Sequence, residues 1–62
     1  MEFIESLKAA RRMAKAEAEK REQRIAELHS RGMQDAASRN QERIDLCRRL
    51  MADIDLLLDG AQ

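Results

Sequence analysis

Apolar residues recur along this chain in two stripes that follow the three- and four-residue steps of an amphipathic helix. The first stripe is apolar at six of its eight positions: Ile4, Leu7, Arg11, Ala14, Ala18, Arg21, Ile25 and Leu28. The second has one polar member: Ala37, Asn40, Ile44, Cys47, Met51, Ile54 and Leu58. Alternating steps of three and four form the heptad pattern with which helices pack along a shared seam. The pattern predicts an all-α protein.

The two stripes are out of phase with each other across Gly32. If the first stripe continued beyond Leu28, its next members would be Gly32, Asp35, Arg39 and Glu42. Such residues cannot form an apolar core, so the phase resets and two helices joined by a bend fit better than one long rod.

Capping signals predict the helix ends. Gly32 is suited to the left-handed conformation that follows many helices, and Gly60 is predicted to end the second helix in the same way. Asp35 is predicted to cap the start of the second helix, with Ser38 and Gln41 as an alternative capping box. We therefore predict one domain over residues 1–62, with a helix over about 2–30, a turn over about 31–34 and a helix over about 35–59.

So short a turn makes the two helices antiparallel neighbours, which brings Leu7 opposite Leu58 and Leu28 opposite Ala37. A 62-residue hairpin is a single layer of helices that encloses no core of its own, so association with another chain is expected. We predict a homodimer in the form of a four-helix bundle.

The second helix carries more apolar surface than one neighbour covers, because several leucines flank its seam. The residues predicted to mediate association are Ile44, Leu46, Leu50, Ile54 and Leu57. The alternative is a groove on this surface that accepts a helix of a different protein, whose identity the sequence leaves open.

Basic residues cluster on one flank of the first helix, at Lys8, Arg11, Arg12 and Lys15. Such a flank could contact the phosphates of RNA or DNA, and a dimer would present it twice. The antiparallel arrangement also brings it beside three acids of the second helix: Asp53, Asp55 and Asp59. Cross-helix ion pairing is therefore the competing explanation.

Polar residues inside the stripes are expected to select register or partner at some cost in stability. Arg21 and Asn40 are two of them, and Arg43 lies within the apolar arc of the second helix. Glu17 precedes Arg21 by four residues, the favourable orientation for an ion pair along a helix.

Composition narrows the chemistry. Twelve basic and twelve acidic residues leave no net attraction to nucleic acid or membrane. One cysteine, Cys47, and one histidine, His29, provide neither a disulfide nor a metal-ligand set nor a catalytic triad. We therefore expect no enzymatic activity, cofactor, metal or small-molecule substrate. No secretory or membrane-spanning pattern is present, so a cytoplasmic location is expected.

In length, heptad pattern and predicted topology, the chain resembles small plasmid and phage regulators that dimerise as helical hairpins, such as the RNA-binding copy-number modulator of the Rop type. No motif of that family aligns with this sequence, so no functional residue is transferred. The function expected is that of a small regulator, adaptor or inhibitor acting by protein–protein binding. The alternative is a hairpin dimer that binds RNA or DNA through the basic flank.

Overall fold

The computed structural model describes residues 2–61, except for the side chain of residue 61. It contains two α-helices, α1 (Glu2–Ser30) and α2 (Gln34–Ala61), which pack against each other along their length. The molecule measures 46 × 14 × 11 Å, as expected for two long helices lying side by side. The predicted all-α antiparallel hairpin is confirmed.

The seam of the hairpin follows the heptads, since every position of the two stripes is buried or half-buried. The fully buried side chains are Ala14, Ala18, Leu28, Ala37, Ile44 and Ile54. On α1 the middle of the seam consists of alanines, whereas α2 supplies isoleucines. Small residues facing large ones allow two helices to approach closely without leaving voids.

The turn is built around Gly32, whose φ is +72°. The amide of Met33 donates to the carbonyl of Leu28 at 2.9 Å, and the amide of Gly32 donates to the carbonyl of His29 at 3.0 Å. These two bonds define a Schellman motif, which satisfies carbonyls left unpaired at the end of α1. The left-handed conformation predicted for Gly32 at the end of α1 is confirmed.

The predicted cap of α2 is wrong, although the helix begins within one residue of its predicted start at about residue 35. The helix begins at Gln34, and its first turn closes with the amide of Ala37 donating to the carbonyl of Met33 at 3.0 Å. Met33 therefore occupies the N-cap position, and neither Asp35 nor the alternative capping box at Ser38 starts the helix. The physical reason is that the Schellman turn ends at Met33 and leads directly into the next helical turn.

The predicted end of α2 at Gly60 is also wrong, because the helix continues to Ala61 and Gly60 does not adopt a positive φ. Glycine permits the left-handed conformation without requiring it. Here the backbone remains right-handed, and glycine is accepted inside the helix at a cost of about 1 kcal/mol relative to alanine.

Candidate protein interface

Three leucines on one side of α2 remain half exposed outside the seam. Leu46, Leu50 and Leu57, which we call the leucine flank, are 51%, 48% and 52% exposed. Their spacings of four and seven residues place them on one helical face. Several large apolar side chains that remain half exposed on one face are typical of interaction surfaces.

The structure divides the residues predicted to mediate association into two groups. Ile44 and Ile54 are 1% and 3% exposed, because they lie in the seam between α1 and α2. They stabilise the hairpin itself. Only the leucine flank is available to a second molecule. The sequence did not separate the groups, because both belong to one broad apolar arc.

A shallow groove of about 320 Å³ runs beside the leucine flank. Its lining residues are Glu17, Arg43, Leu46, Cys47 and Leu50. The thiol of Cys47 is free and its residue is half-buried. An apolar lining bordered by charged groups matches the composition of protein–protein interfaces, which have an apolar centre and a polar rim.

Within the basic flank, Arg11 is engaged by α2. Its Nε donates to Oδ1 of Asp55 at 2.7 Å, and its Nη2 donates to Oδ2 of the same carboxylate at 3.2 Å. The hydrogen bond and the charge of Arg11 lower the pKa of Asp55, and the same contact raises the pKa of Arg11. The predicted cross-helix pairing is thus found for this pair. Both side chains are partly exposed, so the pair selects geometry more than it adds stability.

The other predicted pairs on this flank are not formed among the described residues. Lys8, Arg12 and Lys15 are exposed and have no described carboxylate within 4.0 Å. Asp53 and Asp59 likewise form no ion pair with any described residue. The basic flank therefore has one arginine committed to the fold and three cations directed to solvent.

A polar network crosses the seam between its middle and the turn. The Nε of Arg21 donates to Oε1 of Glu17 at 2.6 Å, the ion pair predicted from their spacing. The Nη1 of Arg21 also donates to Oδ1 of Asn40 at 2.9 Å, and the side-chain amide of Asn40 donates to the carbonyl of Ala36 at 2.8 Å. The sequence indicated Arg21 and Asn40 separately as register-setting residues, and the structure joins them.

An ion pair between Arg48 of α2 and Glu22 of α1 was not predicted. It shares an edge of the hairpin with the Arg11–Asp55 pair, because Arg48 precedes Asp55 by seven residues. Arg48 and Leu50 are two residues apart and point about 200° apart around the helix. The hairpin consequently has one edge of cross-helix ion pairs and one edge formed by the leucine flank.

No family model, curated protein or solved structure matches this chain. Among residues 2–61, no group of three or more His, Cys, Asp and Glu side chains is placed to hold a metal ion. Within the same range, neither α1 nor α2 contains a stretch apolar enough and long enough to cross a membrane.

Proposed function

We propose that this protein is a non-enzymatic protein–protein interaction module, a regulator, adaptor or inhibitor, that self-associates as a homodimeric four-helix bundle. The observation that carries the proposal is the leucine flank, which remains half exposed although the seam stripe of α2 is covered by α1. Complete burial of an exposed leucine contributes about 1.5–3 kcal/mol, so burying the remaining half of each of these side chains contributes about half of that. A second hairpin with the same flank provides such burial for both molecules.

The small core of the hairpin supports the same proposal. Among the residues whose side chains the structure describes, only six are buried, and two of these are alanines of α1. Helices of this length in water depend on tertiary packing for most of their stability. Self-association therefore adds the second packed surface that a single pair of helices lacks.

Sedimentation equilibrium tests this function directly. The chain has a mass of 7.2 kDa, so we expect a species of twice that mass which dissociates on dilution with parallel loss of helical circular dichroism. Because the sequence contains no Trp or Tyr, detection requires interference optics or peptide-bond absorbance. A folded 7.2 kDa monomer at high micromolar concentration would contradict the proposal, whereas assembly well beyond a dimer would indicate a structural subunit.

A second candidate function is binding of RNA or DNA, favoured by the three solvent-directed cations Lys8, Arg12 and Lys15. In a dimer this set would be displayed twice, which is suited to phosphate contacts. Two observations weigh against it: Arg11 is already paired with Asp55, and the chain lacks the tyrosines and tryptophans that stack on unpaired bases.

The nucleic-acid candidate predicts binding whose affinity falls steeply with salt and is lost when Lys8, Arg12 and Lys15 are replaced by glutamate. The loss should exceed about 100-fold at low ionic strength, because three phosphate contacts become repulsive. Fluorescence anisotropy with labelled RNA and DNA measures this. The control variant replaces three cations outside the basic flank by glutamate: Lys20, Arg24 and Arg49. Absence of wild-type binding at low ionic strength, or equal loss in the control, would eliminate a dedicated basic site.

A further inference from the structure

A second heptad stripe runs along α2 beside the seam. Its members are separated by steps of three, four, three and four: Arg43, Leu46, Leu50, Asp53 and Leu57. All five are exposed. A stripe with this spacing has the geometry with which one helix packs against another along a seam, and α1 does not cover it.

Two charges interrupt this stripe, and both lack a partner inside the hairpin. Among the described residues, neither Arg43 nor Asp53 has an opposite charge within 4.0 Å. Arg11 and Arg48, by contrast, are both paired across the helices. Arg43 lies three residues before Leu46, and Asp53 lies three residues after Leu50, so the two unpaired charges flank the central leucine pair.

We propose that the stripe is occupied by α2 of a second copy, running antiparallel, with Arg43 opposite the partner's Asp53. This inference rests on the self-association proposed above and specifies its geometry. A two-fold axis level with residue 48 pairs Leu46 with the partner's Leu50. The symmetry then repeats each contact, so that two leucine layers lie between two ion pairs. The arrangement gives both unpaired charges a partner at the rim of a desolvated apolar centre.

The charges select this register over its neighbours. Sliding the partner helix by one heptad in one direction places Leu50 opposite Asp53. Sliding it in the other direction places Leu46 opposite Arg43. Either shift separates the opposite charges and sets a charge against one of the two central leucines, which is how paired helices reject incorrect alignments. In the proposed register a charge meets a leucine only at the two edges, where Leu57 lies opposite the partner's Arg39.

The structure also favours α2 against α2 over α2 against the partner's α1. Glu17 of α1 lines the same groove as Leu46 and Leu50, so it lies at their level along the hairpin. To pack α2 against the partner's α1, a two-fold axis parallel to the helices is needed. Such an axis leaves the position of each residue along the hairpin unchanged, so it would place the partner's Glu17 over these leucines. Desolvating a carboxylate against apolar side chains is unfavourable.

Charge reversal is the first test, read as the dimer dissociation constant from sedimentation equilibrium. Arg43→Asp and Asp53→Arg should each weaken the dimer about 10- to 100-fold, because each turns two attractive pairs into repulsive ones. The double variant should return to within about threefold of wild type. Single variants that weaken the dimer without rescue in the double variant would overturn the proposed register.

Two control variants carry the same charge changes on surfaces away from the stripe: Arg12→Asp and Asp59→Arg. They should leave the dissociation constant within about threefold of wild type, since exposed charges distant from the interface contribute little. A control effect as large as that of the stripe variants would show that net charge, not the specific pair, governs association, and would overturn the assignment.

Orientation is tested independently by the distance between spin labels at the turn. Met33→Cys in a Cys47→Ala background places one label per chain, fifteen residues from the proposed axis. At 1.5 Å rise per residue, antiparallel α2 helices give a label separation of ~45 Å. A separation below ~25 Å in a sample with dimer mass would overturn this geometry and leave self-association intact, whereas a monomeric mass for unlabelled wild type would overturn both.

Discussion

Leu50→Asp is expected to abolish the dimer and unfold the chain in one transition. In the isolated hairpin this side chain is half exposed, so a carboxylate there would meet water and cost little. In the proposed dimer it lies at the centre of the interface, where an unpaired buried charge costs about 3 kcal/mol or more, a weakening of more than about 100-fold for each copy. Because folding and association are coupled in small obligate dimers, helicity should be lost together with dimer mass.

Circular dichroism and sedimentation measured on the same samples over a concentration series check this expectation. Leu56→Asp is the matched control, since Leu56 is 71% exposed and lies outside both heptad stripes of α2. It should leave mass and helicity unchanged. If Leu50→Asp gives a folded monomer, association is not needed for folding, and the coupling argued here is refuted.

The parts of the fold that were predictable from the sequence are those set by periodic or local signals. The heptads identified every seam position, and Gly32 marked a turn whose conformation only glycine adopts without strain. The cap of α2 was not predictable from local propensity: Asp35 is a strong capping residue, whereas the cap is Met33, placed there by the hydrogen bonds of the preceding turn. The conformation of Gly60 was not predictable, because glycine permits the left-handed conformation without requiring it.

The interface residues were less predictable for a physical reason. Ile44 and Leu46 both belong to the apolar arc of α2, and hydrophobicity alone does not say which of them α1 covers. Which residue is covered depends on the side of α2 against which α1 packs. The alanines of α1 and the Arg11–Asp55 pair help to set that side. Long arginine side chains reach several acids, so the Arg48–Glu22 pair could not be selected from spacing.

Ile44→Ala is expected to be the most destabilising conservative change within the hairpin. Ile44 is the largest fully buried side chain described, and its truncation leaves a cavity in the seam between α1 and α2. The loss should be about 2–4 kcal/mol in the free energy of unfolding, measured by urea denaturation. Small domains are stable by only about 5–15 kcal/mol, so this is a large share of the total. Ile44→Val should cost only about 1 kcal/mol.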